Sequence, residues 1–152
     1  NRMNQDLSLL QKIVEGARSG ADACSQLADR CEDDAMCREL RTQRDDYESA
    51  ARDAEALLEK QGVRPRPKGA MARAGMWFGM QVNTMMDRSA SHIADICIQG
   101  ATMGIVEMTK ARNACPDAGA DAHGVAAWLI ERQQQAIDRM KNFLTMEQKQ
   151  LI

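Results

Sequence analysis

Apolar and small residues recur every three or four positions along several segments of the chain, which is the spacing of amphipathic helices. In the segment 7–31 these positions are Leu10, Ile13, Ala17, Gly20, Cys24, Leu27 and Cys31. In the segment 35–60 they are Met36, Leu40, Tyr47, Ala50, Ala54 and Leu57. The pattern predicts two helices that each bury one face.

The connection between these helices is short and acidic. Residues 32–34 are all carboxylates, which favour the start of a helix through capping and through the helix dipole. Because the turn is short, the second helix is predicted to run antiparallel to the first. Gly62 is typical of a helix C-terminus, and the two prolines in 63–68 cannot continue a regular helix. We therefore predict a first helical hairpin over residues 4–62.

A second pair of helices is predicted over residues 89–146. Ser89 or Ser91 is suited to cap the first of them, which runs to about Ala114, and Asp121 is suited to cap the second. The last helix carries its apolar line at Val125, Leu129, Ala136, Met140 and Phe143, with Trp128, Ile130, Ile137 and Leu144 beside it. Arg132 falls within this line, so we expect it to pair with a carboxylate, for which Glu107 is the candidate.

The segment 63–88, between the two hairpins, is rich in Met and Gly. We predict that it crosses the bundle and contains a short helix packed on the other four. The alternative is that Met76, Trp77 and Met80 form an exposed interface for a partner, since flexible thioethers suit adaptable binding surfaces. Polar substitutions at these three residues distinguish an interface from a core.

The composition supports an all-α fold in a single domain spanning 1–152. Only 3% of the residues are aromatic, and the chain is of ordinary single-domain size. The net charge of −2 argues against a nucleic-acid partner. The longest apolar stretches are interrupted by polar residues and no secretory signal pattern opens the sequence, so we expect a soluble, cytoplasmic protein without a transmembrane segment.

The five cysteines contain no CxxC pair and no zinc-type cluster. Buried free thiols behave as small apolar residues, so core packing is the favoured interpretation. Cys31 and Cys37 flank the first turn, which leaves a thiol-based sensor as an alternative. That alternative requires a lowered thiol pKa, which the acidic neighbours in 32–34 oppose.

The order of helix, tight turn, helix, long crossover, helix, tight turn and helix resembles the ferritin-like superfamily, and especially small bacterial four-helix-bundle domains of unknown function. Locally the resemblance lies in residues 76–84, in Ser91-His92-Ile93-Ala94-Asp95 and in residues 98–105. It implies a ferritin-like four-helix bundle built from two antiparallel hairpins. It brings no catalytic residue with it.

Ferritin-like metal proteins take Glu from two helices and Glu-x-x-His from two others, and this chain contains no Glu-x-x-His. The nearest approximations are Glu131 with Gln134, and His92 with Asp95 in reversed order. A divergent iron or manganese site would draw on a wider set of side chains. Its candidates are Glu15 or Asp22, Asp45 or Glu48, His92, Asp95, and Glu107 or Glu131.

A stripe of four polar residues marks one face of an otherwise apolar helix. His92, Asp95, Gln99 and Thr102 follow one another at spacings of three, four and three. The stripe is either the solvent edge of the helix or an inward face that surrounds a ligand or metal. A third possibility is that the His92 and Asp95 pair only secures the helix start.

Two classes of function follow. The leading hypothesis is a non-enzymatic binding or assembly protein that associates with itself as a homodimer or higher oligomer and needs no cofactor. The alternative is a metal-binding protein with oxidase-like or storage activity, which predicts stoichiometric iron or manganese. The sequence contains no phosphate loop, nucleophile elbow or Ser-His-Asp set to support hydrolase chemistry.

Overall fold

The computed structural model describes residues 1–66 and 73–146, and within these ranges it is helical with no strand. The helices are α1 (Arg2–Arg30), α2 (Asp34–Lys60), α3 (Arg73–Thr84), α4 (Ala90–Ala114) and α5 (Ala120–Met140), followed by a 3-10 turn (Lys141–Phe143). The all-α prediction is confirmed for this part of the chain. Met71 of the Met-rich segment lies outside the described residues.

Local sequence signals account for most helix ends. Asp33 Oδ1 accepts a hydrogen bond from the Met36 N–H at 2.8 Å, and Ser89 Oγ accepts one from His92 N–H at 3.2 Å. Gly62 follows α2 with a φ of 73°, a conformation that costs glycine little. The prediction for the last helix was wrong in detail, because α5 begins after Gly119 and Asp121 lies in its first turn.

The helices associate mainly as two pairs, α1 with α2 and α4 with α5. Contacts between α1 and α2 follow opposite order along the two helices. In the first pair Arg18 contacts Glu55, and Leu27 clusters with Met36 and Leu40 close to the turn. The fully buried large side chains that fill the bundle are Leu9, Leu10, Ile13, Val14, Leu27, Met36, Leu40, Leu58, Ile93, Leu129 and Met140.

The start of α1 also holds the turn between α4 and α5. Gln5 Oε1 accepts a hydrogen bond from Asp117 N–H at 2.7 Å, and Asp6 Oδ1 accepts one from Gly119 N–H at 2.8 Å. Further along, an added Cβ at Gly16 would lie 3.5 Å from Met108 Cε. These contacts show that α1 and α4 are neighbours that run in opposite directions.

The short helix α3 packs against both α1 and α4. Ala74 and Val82 are buried, whereas Met76 and Met80 are 63% and 65% exposed. Trp77 is half-buried and packs edge-to-face on Phe78, with ring centroids 5.6 Å apart. The short helix is thus packed on the bundle as predicted, while Met76 and Met80, two of the three residues named as a possible interface, face solvent.

The apolar line of α5 was predicted one residue out of phase near its middle. Arg132 is exposed and lies over the Trp128 ring at 4.9 Å, while Gln133 occupies the buried position. The expected link between Arg132 and Glu107 is therefore wrong. One helical residue corresponds to about 100° of rotation, which is enough to move a side chain from the core to solvent.

No helix in the described ranges combines the length and the apolar character needed to cross a membrane.

Candidate ligand-binding cleft

The residues suggested as metal ligands are dispersed over the surface. Asp95 and Glu48 are exposed, and Glu48 lies 4.0 Å from Arg44 on its own helix. His92 is half-buried at the start of α4. Glu15 and Glu107 are half-buried and line a different region, described below. Within 1–66 and 73–146, no three His, Cys, Asp or Glu side chains are placed to hold a metal ion together.

The polar stripe on α4 faces solvent over most of its length. Asp95, Gln99 and Thr102 are exposed. Gln99 Nε2 donates to Asp95 Oδ1 at 2.8 Å, and Thr102 Oγ1 donates to the Ile98 carbonyl at 2.7 Å. These bonds lie within one helix, so the stripe is the solvent edge of α4 rather than an inward ligand site.

A cleft of about 410 Å³ lies between α1, α3 and α4, and side chains of α2 and α5 also line it. Its volume is within the range of small-molecule sites, roughly 300 to 1,000 Å³. Most of its surface is apolar. The lining includes two pairs of glycines four residues apart, Gly16 with Gly20 on α1 and Gly100 with Gly104 on α4. Because glycine has no side chain, the facing sides of these two helices contribute little volume at these positions.

Three of these glycines are needed for close contacts with larger side chains. A Cβ at Gly20 would lie 2.5 Å from the Tyr47 ring, and one at Gly104 would lie 2.5 Å from Gln133 Nε2. A Cβ at Gly100 would overlap the Phe78 ring. Only Gly16 has ordinary space around an added Cβ. The glycines therefore let Tyr47, Phe78 and Gln133 approach the helix backbones.

Tyr47 and Gln133 form a polar pair in the lining of the cleft. Gln133 Nε2 donates a hydrogen bond to the Tyr47 hydroxyl at 3.2 Å. Gln133 is 7% exposed, and its Oε1 has no hydrogen-bond partner among the described residues. Burial raises the pKa of Tyr47 well above its usual value, so the phenol stays protonated at neutral pH.

Among the described residues, four charged side chains line the cleft: Lys12, Glu15, Glu107 and Lys110. Glu15 Oε1 lies 3.1 Å from Arg66 Nη2, and Glu107 Oε1 accepts a hydrogen bond from Ala74 N–H at 3.1 Å. Both lysines are exposed, and neither forms an ion pair with a carboxylate of the described residues. The two carboxylates thus contact other groups of the protein, whereas both lysines are exposed.

The thiols do not have the character of a reactive pair. Cys24, Cys97 and Cys115 are buried, and burial raises the pKa of Cys24 to about 12. Cys37 Sγ lies 3.5 Å from the Cys31 carbonyl, so the two cysteines beside the turn are close. Burial and a hydrogen bond with Cys37 raise the pKa of Cys31 to about 11, which opposes the lowered value that a sensor requires.

The polar pair of the cleft is only partly visible in the sequence. Tyr47 falls on the apolar line of the second helix, where it is also a candidate to face a ligand together with the stripe at 92–102, whereas Arg132 rather than its neighbour Gln133 falls within the predicted line of the last helix. The signal that was available is the repeat of Gly-x-x-x-Gly at 16–20 and 100–104, because paired glycines on two helices indicate a close approach to a backbone. Whether a side chain or an open cleft faces such a glycine depends on where the neighbouring helices lie.

The chain matches no protein-family model, no curated protein and no solved structure.

Proposed function

We propose that this chain is a non-enzymatic binding protein and that the cleft between α1, α3 and α4 is its ligand site. The observation that carries the proposal is an apolar cleft of about 410 Å³ whose lining includes the buried amide of Gln133. Binding sites commonly combine an apolar lining with a few polar groups that orient the ligand. Tyr47 and Gln133 supply the polar groups of this lining.

The chemistry of the lining favours binding over catalysis. The Tyr47 phenol is held protonated by burial, and the Gln133 amide does not titrate. Glu15 and Glu107 are engaged with Arg66 and with a backbone N–H. These groups recognise a ligand through hydrogen bonds and charge, without a need to exchange protons with it.

The proposal is tested with an uncharged fluorescent probe, N-phenyl-1-naphthylamine, titrated into the full chain. We expect saturable binding with one probe per chain. Gly16→Leu should abolish it, because the new side chain has space for its Cβ and extends into the cleft. Gly124→Leu is the matched control, since Gly124 is helical, exposed and has no neighbour within 4 Å of an added Cβ.

Undiminished binding by a folded Gly16→Leu protein would overturn the proposal, as would equal losses in both leucine variants. Circular dichroism confirms that each variant retains its helices. The two substitutions give the same gain in helix propensity, about 0.8–1 kcal/mol, so a difference between them reports on the cleft.

We also propose that the bundle has a ferritin-like arrangement. Two antiparallel helix pairs joined by a long connection that contains α3 support this assignment. The alternative of iron or manganese binding has no ligand group within the described ranges to favour it. We therefore propose a ferritin-like architecture that serves binding.

Self-association is proposed for the outer face of α3. Met76 and Met80 are one helical turn apart and both are mostly exposed. If this face joins two copies, Met76→Gln with Met80→Gln should shift the chain to monomer in analytical ultracentrifugation without loss of helicity. A wild-type chain that sediments as a monomer at high micromolar concentration would overturn the assignment.

A further inference from the structure

Resting on the proposed function, we propose that the ligand is an uncharged, elongated apolar molecule and that Phe78 determines how long it can be. The ligand would lie along α1 and α4, with one end against the Phe78 ring. Three features of the structure lead to this inference: the extent of the cleft, the position of Phe78 at one end of it, and the presence of both charge signs in its lining.

The first feature is the extent of the cleft along the two helices. On α4 the lining runs from Gly100 to Ala114, which are fourteen positions apart and separated by roughly 21 Å of helix. On α1 it runs from Lys12 to Gly20, or about 12 Å. A cleft that follows two neighbouring helices for at least two turns fits an extended molecule.

The second feature is the wall at the Gly100 end of the cleft. The Phe78 ring occupies the space of a Cβ at Gly100, which is the first residue of α4 in the lining. Phe78 also packs against the buried cluster that contains Val82, Ile93 and Cys97. Because the ring is half-buried and contacts both regions, it separates the cleft from this part of the core.

A smaller side chain at position 78 should lengthen the cleft. Gly100 has no side chain that could fill the space left by the ring, so that space would join the cleft. The phenyl ring carries no polar atom, and its removal leaves no hydrogen-bonding group without a partner. Phe78 is therefore a residue that can set ligand length without contributing a polar contact.

The third feature is the mixture of charges in the lining. Lys12 and Lys110 line the cleft together with Glu15 and Glu107. An ion of either sign would therefore approach a like charge as well as an opposite one, and it would lose hydration beside the apolar wall. The amide oxygen of Gln133 is fully buried and is not exposed to the cleft. The lining thus favours an uncharged, apolar ligand.

The inference is tested by displacement of N-phenyl-1-naphthylamine from the full chain with straight-chain primary alcohols, from octan-1-ol to tetradecan-1-ol. We expect affinity for the wild-type chain to rise about fourfold with each added carbon, and to level off once the alcohol reaches Phe78. In Phe78→Ala the rise should continue, so tetradecan-1-ol should bind this variant about tenfold more tightly than the wild-type chain.

Two further variants separate the role of Phe78 from a general loosening of the fold. Phe143→Ala is the matched control, because Phe143 is also half-buried and packs on the same cluster away from the cleft. It should level off at the wild-type length. Phe78→Leu retains part of the wall and should shift the plateau in the same direction as Phe78→Ala, but by less. Circular dichroism confirms that each variant retains its helices.

Decanoate and decylamine test whether the ligand is uncharged, with decan-1-ol as the reference of equal chain length. We expect the alcohol to bind about tenfold more tightly than either ion, because each ion loses hydration beside the apolar wall. An ion that binds as tightly as the alcohol would overturn this part of the inference.

Failure of the inference is distinguishable from failure of the proposed function. If the probe binds but folded Phe78→Ala and Phe78→Leu have wild-type affinity for every alcohol, the cleft binds a ligand and the role of Phe78 is wrong. An equal shift in Phe143→Ala would also overturn that role. If the probe does not bind, or binds equally to Gly16→Leu, the site itself is wrong.

Discussion

The two seams that join the helix pairs differ in how they are filled. Along the α2–α5 seam, Glu39 and Arg139 form a two-pronged ion pair with distances of 2.6 and 3.1 Å, and a cavity of about 10 Å³ lies beside Gln43 and Ala136. Along the α1–α4 seam, glycines face a cleft of about 410 Å³. The first volume barely admits a water molecule, whereas the second admits an organic ligand.

The two seams show how one helical bundle can be closely packed on one side and keep a cleft on another. Side-chain volume and a charged hydrogen-bonded pair close the α2–α5 seam. Along the α1–α4 seam glycines take the place of larger side chains, and the buried amide oxygen of Gln133 has no partner within 1–66 and 73–146. Substitutions that remove side-chain volume beside the α2–α5 seam should therefore lower the free energy of unfolding. Along the α1–α4 seam, added volume should be tolerated at Gly16.

The largest expected effect comes from truncating a filled position. Leu40 is fully buried on α2 and packs with Leu27, Met36 and Met140. Leu40→Ala should lower the free energy of unfolding by about 2–5 kcal/mol, through lost transfer energy and the cavity that remains. Urea denaturation followed by circular dichroism measures this change. A loss below about 1 kcal/mol would show that this region is not closely packed.

A smaller loss is expected where a glycine makes room for a ring. Gly100→Ala places a Cβ in the space of the Phe78 ring and should displace that ring from α4. Overpacking costs about 1–3 kcal/mol, and the better helix propensity of alanine returns up to about 1 kcal/mol. Gly79→Ala, on α3 with open space around its Cβ, is the control and should be stabilising. Equal effects of the two substitutions on urea denaturation would contradict the contact.

The buried glutamines Gln11 and Gln133 differ in how many of their amide atoms are hydrogen-bonded. Gln11 Oε1 accepts from Arg66 N–H at 3.1 Å and its Nε2 donates to the Arg64 carbonyl at 3.4 Å, so both ends of the amide are used. Gln11→Met should cost about 1–2 kcal/mol. Gln133→Met should change stability by less than about 0.5 kcal/mol, because loss of the Tyr47 bond offsets removal of the partnerless oxygen. A larger loss at Gln133 than at Gln11 in urea denaturation would argue against an unsatisfied amide.

The smallest effect expected is on thiol chemistry. Burial and the contact with Cys37 raise the pKa of Cys31 to about 11, so the thiol form dominates at neutral pH. Mild oxidation should therefore leave Cys31 and Cys37 reduced, and alkylation of Cys31 should accelerate as the pH rises towards 11. Peptide mass spectrometry measures both. A rapid Cys31–Cys37 disulfide at neutral pH would restore the sensor hypothesis.

The helices could be predicted because their signals are local. Three- and four-residue spacing, the cap at Asp33 and the stop at Gly62 each act within a few residues of the chain. The cleft could not be predicted, because it depends on the distance between α1 and α4, which are far apart in sequence. The phase error that placed Arg132 in the apolar line arose because the long stem of arginine is compatible with a buried or an exposed position. The direction of the stripe at 92–102 likewise depends on where neighbouring helices lie.

If the α1–α4 seam contains usable space beside Gly16, a leucine fits there, and thermal unfolding of Gly16→Leu measures the result. We expect a gain of about 2 kcal/mol, from helix propensity and from burial of the new side chain in the cleft. This corresponds to a rise in Tm of roughly 4–8 °C, whereas Gly124→Leu should give about half of it. A Tm for Gly16→Leu below that of the wild-type chain would mean that the leucine is overpacked, and it would contradict the cleft on which the proposed function rests.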